Sequence, residues 1–271
     1  LRLFASLGLL EQVKALLEAG ASVDDLDSSG SSALLCALQH AESTGQREVL
    51  DLLLARPHQV ITLNALTHRK RLTPLMSAID LGLPDVLEVL VAEGADIEQR
   101  ALTDNQSPLY YLVSRLFLNI NPARMLFTLT QKMMEEPDIV LQDTLRRFGV
   151  GMAGTFGSDT TGPRSHPELA IAIAEAMVKQ HLSRHSVSNL MRIAAALLKA
   201  GANPNAPHTY PVQGRTPLML AAESDLPELF DLMLQHGGDP LRPDAARQNC
   251  LQIAQSFGAR KVIDLIQRRS R

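Results

Sequence analysis

The fold class this 271-residue sequence predicts is all-α, built from helical hairpins stacked side by side, and three observations lead there. Leu and Ala dominate while aromatic residues make up 4% with no Trp, a composition suited to helix-on-helix packing and poorly suited to a β-sandwich. An apolar fraction of 45% supplies a core, and a charged fraction of 20% argues against disorder. The third observation is that the chain repeats itself. RLTPLMSAIDLGLPDVLEVLVAEGADIEQ, from Arg71, lies over GRTPLMLAAESDLPELFDLMLQHGGDPLR, from Gly214, at a constant offset of 143 residues. Thr73 meets Thr216, and Pro74, Leu75, Ala78, Pro84, Gly94 and Asp96 meet Pro217, Leu218, Ala221, Pro227, Gly237 and Asp239.

That alignment extends to six copies. Residues 1–20 form the first, with Gly8 on Gly82 and Gly20 on Gly94. Residues 31–56 form the second, after a four-residue expansion near Ala41 to Thr44. The third starts near Arg71, and Ser107-Pro108-Leu109 restarts the pattern 34 residues after Thr73. The second half of that fourth copy is NLMRIAAALLKAGANPNA, ending at Ala206. The fifth starts near Gly214, and the sixth at Asn249, 33 residues after Thr216. Within a copy, Thr73 and Thr216 cap a helix whose first position is Pro74 or Pro217, where a missing N–H costs nothing. Leu75, Ala78 and Ile79 recur at helical spacing. Gly82 turns the chain into a second amphipathic helix, and Gly94, Gly201 and Gly237 stop it, because a left-handed residue carries little strain without a side chain. The polar stretch after each stop, such as ADIEQRALTDNQ, reads as a projecting loop or hairpin finger.

The period of about 33 residues and the Thr-Pro-Leu helix start resemble the ankyrin-repeat family. The resemblance implies a solenoid of helix-turn-helix repeats with hairpin or loop fingers, which binds other proteins through the concave surface formed by fingers and first helices. The family's usual His after Thr-Pro-Leu is replaced here by Met76, Tyr110 and Met219.

The fourth copy is split, giving three segments. Residues 1–119 hold copies one to three and the first helix of copy four, 120–187 are a helical insertion, and 188–271 hold the remainder with a polar C-terminal cap. Three helices are expected in the insertion, the last capped by Ser165 with Glu168 as its capping-box partner. Its glycines, Gly149 to Gly162, imitate nucleotide loops. A dinucleotide loop needs an entering strand and a departing helix, whereas DTLRRF is helix-like and Pro163 breaks the chain's continuity toward the next helix. A mononucleotide loop needs Lys then Ser or Thr after Gly162, and the chain gives Pro163 and Arg164. A flexible loop is expected there.

Other chemistry is sparse. His181 and His185 have helical zinc spacing, but Leu182 stands where the metalloprotease pattern needs Glu, and no third ligand is evident. Glu135 and Glu136, like Asp24 and Asp25, read as solvated charges, and Met133 and Met134 as core or a soft contact surface. Cys36 and Cys250, each near a helix start among apolar residues, predict two buried thiols without a disulfide. A net charge of −3 gives no global attraction to polyanions, and Lys261, Arg268, Arg269 and Arg271 suit the C-terminal end of a helix. No apolar run approaches a membrane span and no signal peptide is visible, so a soluble cytoplasmic protein is expected. The start at Leu1, without Met, leaves a removed targeting segment or secretion open.

No catalytic residue, cofactor, metal, nucleic-acid partner or small-molecule substrate is therefore expected, and a protein partner is. Tyr111 and Arg115, one turn apart, are the expected exposed anchor pair. The finger NAPHTYPVQGR is longer than its relatives and offers His208, Tyr210 and Val212. Arg69, Arg100, Asp104, Glu223 and Arg242 complete a mixed-charge rim. Arg outnumbers Lys, which points to a bacterial source and an effector, adaptor or toxin-neutralising role. The alternative is an effector enzyme whose activity resides in the insertion, with the array as its targeting module.

Overall fold

The computed structural model describes residues 1–28, 30–66, 72–101, 105–120, 186–209 and 213–269, with scattered positions between 123 and 182. Predictions for Ser165, Glu168, His181, His185, Met133, Met134, Glu135, Glu136 and the glycines from Gly149 to Gly162 lie outside the described residues. The chain divides into two compact units. One comprises Leu1–Phe117 with Val187–Arg271, and the other comprises Leu118–Ser186. The described residues contain helices and no strand; one isolated antiparallel bridge joins His208 to Arg215.

In the first unit six helical hairpins succeed one another. They are α1 (Arg2–Ser6) with α2 (Leu10–Glu18), α3 (Ala33–Thr44) with α4 (Glu48–Leu54), and α6 (Pro74–Leu81) with α7 (Pro84–Ala92), the one-turn α5 (Val60–Leu63) lying between the last two pairs. Then come α8 (Pro108–Ile120) with α9 (Val187–Lys199), α10 (Pro217–Glu223) with α11 (Pro227–Gln235), and α12 (Cys250–Phe257) with α13 (Arg260–Arg269). First helices pack on first helices, as α1 does on α3, α3 on α6 and α10 on α12; second helices do the same, as α7 does with α9 and α9 with α11. One core runs through the stack, from Ala5 to Val262, including the fully covered Leu35, Leu50, Leu75, Ile79, Leu87, Leu197, Leu218 and Phe230.

The helix starts behave as their sequence requires. Thr73 and Thr216 accept the N–H of Met76 and of Met219, each at 3.2 Å, and Ser32 accepts that of Leu35 at 3.1 Å. Asn249 completes a reciprocal capping box with Gln252. The stop glycines Gly94, Gly201 and Gly237 have φ of +95°, +100° and +86°. The expansion near Ala41 takes a specific form: α3 has 12 residues against 8 in α6, so the extra residues lengthen the helix by about one turn before Gly45 caps it.

The fingers are tied to one another by side chains that look solvated in the sequence. Asp24, expected as a solvated charge, accepts the backbone N–H of Gln59 at 3.0 Å; its neighbour Asp25 is exposed. Asn64 accepts from Asp96 at 2.8 Å, Glu98 from Asn203 at 2.7 Å, and Asn205 from Asp239 at 2.8 Å. Partners in three of these bonds are 32 to 35 residues apart, and in the Glu98–Asn203 bond 105 apart. The excess is the stretch Leu118–Ser186, which the ladder bridges without a missing rung.

Four of the fingers close through a short backbone bridge: Asp27 N–H to Ser31 O, Ala101 to Gln106, His208 to Arg215, and Asp244 to Gln248. In these four fingers the turn has a positive φ two residues before Ser32, Ser107, Thr216 and Asn249. Gly30 and Gly214 supply it at +78° and +83°, but Asn105 and Arg247 hold it at +55° and +59°. A side chain in that region costs roughly 1–2 kcal/mol, partly offset in glycine by its greater freedom when unfolded. Arg247→Gly is therefore expected to stabilise the protein by about 0.5–1 kcal/mol, seen as a higher urea midpoint at unchanged m-value. Replacing Leu118–Ser186 with a four-residue linker is expected to leave helical circular dichroism and cooperative unfolding of the array intact; a non-cooperative chain would show that the ladder does not carry the split copy.

Candidate partner-binding face

First helices and fingers carry most of the predicted contact residues, and the structure uses many of them internally. Tyr111, expected to be exposed on α8, is 6% exposed. Its hydroxyl donates to Asp80 Oδ1 at 2.8 Å, Arg115 Nη2 lies 3.0 Å from the same carboxylate oxygen and also donates to the Tyr111 hydroxyl, and the guanidinium carbon sits 4.6 Å from the Tyr111 ring centroid. Burial pushes the Tyr111 phenol well above its usual range. The pair is thus not an exposed anchor. Asp80, at the end of α6, turns both side chains toward the neighbouring repeat, because leaving a half-buried guanidinium without a carboxylate is costly.

His208 is likewise not offered to solvent. It is 1% exposed, and its ring stacks on Tyr110 with centroids 3.9 Å apart. Nε2 lies 3.3 Å from the hydroxyl of Ser107, the residue at the start of α8. Arg100, placed on the rim from sequence, is a half-buried strap: one guanidinium nitrogen donates to Asn105 O at 3.0 Å and another to Pro207 O at 2.9 Å, joining two fingers. Glu223 is held by Arg215 at 2.9 Å, and the same guanidinium lies 3.1 Å from the buried carboxylate of Asp244 in the next finger. Arg242 is exposed, next to Leu241 at 76% exposure. Arg69, Asp104, Tyr210 and Val212 lie outside the described residues.

The structure therefore brings together Tyr111 with Arg115, and Arg100 with His208. It adds Asp80, Ser107, Arg215 and Asp244, which sequence reasoning missed. A signal existed for the ladder: Asp24, Glu98 and Asn205 each fall four residues after a stop glycine. After Gly237, the stop glycine of the fifth copy, that position is Leu241. The described cysteines are not activated. Cys250 is fully buried, and burial, reinforced by Asp239, pushes its thiol up to about 12, so it stays protonated and is a poor nucleophile. Cys36 is partly exposed, contrary to expectation, and burial raises its thiol too; both cysteines are free. Among the described residues no cluster of three or more His, Cys, Asp or Glu is arranged to hold a metal ion, and no helix is long and apolar enough to cross a membrane.

The repeated caps, stop glycines and finger bridges coincide with matches to known families. A family model described as ankyrin repeats (3 copies) matches residues 1–101, and one described as ankyrin repeat matches residues 213–245. The chain belongs to the ankyrin-repeat family. No curated protein matches it. Ankyrin repeats generally mediate protein–protein interaction and are generally non-catalytic. In this ankyrin array the three replacements for the family's usual His all face inward: Met76 and Met219 are fully covered and Tyr110 is 3% exposed. Tyr110 receives the His208 ring from the following finger, so an imidazole packs against α8 from a different part of the chain.

Asp80→Ala is expected to lower stability by about 1–3 kcal/mol, since Arg115 and the Tyr111 hydroxyl both lose a buried acceptor, whereas Arg242→Ala stays within about 0.5 kcal/mol. Urea unfolding of the two variants side by side measures this, and equal midpoints would refute the structural role of Asp80.

Proposed function

We propose that this ankyrin-repeat chain is a non-catalytic binding protein that holds one protein partner against its fingers and the adjoining faces of the first helices. The observation that supports the reading best is the pair Leu241–Arg242. Leu241 stands at the ladder position where other copies carry an acceptor, its backbone N–H is bound to Asp239 Oδ1 at 2.9 Å, and its side chain is 76% exposed beside the exposed Arg242. An apolar side chain and an arginine on a fixed backbone lose little entropy on contact and make an effective interface centre. Tyr210, Val212, Arg69 and Asp104 join the proposed surface on their sequence character alone. Arg100, Tyr111, Arg115, His208 and Glu223 act in it by setting the shape of the scaffold. An adaptor, effector or toxin-neutralising role is the finer form of this proposal.

With a partner mapped to the array, the double change Leu241→Asp with Arg242→Glu, and separately Tyr210→Ala, is expected to raise Kd at least tenfold, about 1.4 kcal/mol, while circular dichroism stays unchanged. Unaltered affinity in both would place the contact elsewhere. The enzyme alternative is supported by the separate unit Leu118–Ser186. A turnover activity lost on deleting that unit, with partner binding retained, would replace the binding-only reading.

A further inference from the structure

His208 combines near-complete burial with incomplete polar satisfaction. The ring is 1% exposed, stacked on Tyr110, and bonded through Nε2 to Ser107, whereas Nδ1 is buried with no hydrogen-bond partner among the described residues. The finger's backbone closure converges on the same residue: His208 N–H donates to Arg215 O, and Gly214 N–H donates to His208 O, each at 2.7 Å. The ring therefore docks the stem of the finger that follows the fourth copy on α8.

The charged groups described around this ring are cationic or already engaged. The Arg100 guanidinium is fixed on the carbonyl of Pro207, the residue before His208. Arg215, paired with His208 through its backbone, has its guanidinium against Glu223 and Asp244. From α8 the ring meets the hydroxyl of Ser107 and the ring of Tyr110. A neutral imidazole needs one donor and one acceptor, but an imidazolium presents two N–H donors, and no described residue stands ready to accept from the buried Nδ1.

We propose that the stem of this finger is an acid-released element: a proton on His208 expels the imidazole from its stack on Tyr110, unmaking the His208–Arg215 pairing and freeing the finger from α8. Burial, and then the nearby Arg100, lower the imidazole from the ordinary 6.5 to about 4 while the stem is closed. The closed stem keeps the ring neutral, and the open stem restores its ordinary affinity for protons. Closure is therefore unaffected above pH 6.5, weakens by up to about tenfold per pH unit as the pH falls from 6.5 to 4, and levels off below. Release of the stem is independent of which partner the array binds.

Hydrogen exchange read by mass spectrometry at pH 7.5 and pH 5, with exchange times scaled for the intrinsic pH dependence, tests it. A peptide covering residues 206–216 is expected to lose about tenfold or more in protection at pH 5, relative to peptides from α10 and α11. His208→Phe keeps an aromatic ring for the stack and cannot titrate, so its protection should be the same at both pH values. Arg100→Met, which removes the neighbouring cation, should shrink the pH effect without abolishing it, and serves as a second test should His208→Phe fold poorly. Wild-type protection that does not change between the two pH values, or an equal loss in His208→Phe, would overturn the proposal, as would an Arg100→Met protein whose pH effect is as large as the wild type's.

Discussion

A helical hairpin of some thirty residues has apolar flanks on both sides and no interior of its own, so it is stable only when a neighbour covers each flank. The rest of this array obeys that constraint. Small Ala residues at Ala37, Ala78, Ala194, Ala221 and Ala254 let adjacent helices approach closely, and the Leu, Ile, Met and Phe side chains between them merge into one core from Ala5 to Val262. That core runs on from each described hairpin into the next. The same logic accounts for the tolerance of the fourth copy to its interruption. What α8 and α9 need is to fit between the third and fifth copies, and Glu98 still reaches the backbone of Asn203 across 105 residues of sequence.

Apolar contact alone would allow hairpins to slide or tilt, since dispersion and hydrophobic burial have little directionality. Direction comes from the polar ladder. A side-chain oxygen in one copy accepts a backbone N–H from the next, from Asp24, Asn64, Glu98 and Asn205 in turn, and each bond fixes where the following finger starts. Ion pairs add to it between copies: Arg47 holds Asp85 as well as Asp51, and Arg269 of α13 holds Asp231 of α11. Exposed pairs of this kind contribute little stability individually, and their larger effect here is to define geometry.

This arrangement separates two jobs along each finger. The stem is committed to the stack, through a backbone bridge and inward side chains such as His208 and Arg215, while Leu241 and Arg242 are exposed, with the Leu241 N–H held by Asp239 Oδ1. A surface of that kind suits recognition of a partner, because ordering it on contact costs little. It also explains why charged residues that look available in a linear reading are mostly engaged. Arg100 and Arg115 each carry a charge that another part of the stack uses, and Glu223 is held by Arg215 of its own copy.

The sequence by itself determined the repeat, its caps and its breaks, because these are local: Thr73 bonds three residues on, Pro74 suits only a helix start, and Gly94 sits where a side chain would strain the turn. Burial within a hairpin was equally legible, since period and polarity assign the covered face. What only the tertiary structure decided is which polar residues remain free. Tyr111 and Arg115 sit one turn apart on a helix whether or not Asp80 faces them, and Asp80 belongs to another copy 31 residues earlier. His208 and Tyr110 meet across nearly a hundred residues that include the whole second unit, a contact that no local pattern records. A hydrogen bond or a stacked ring depends on distances of about 3–4 Å, and the packing of one copy on the next sets those distances.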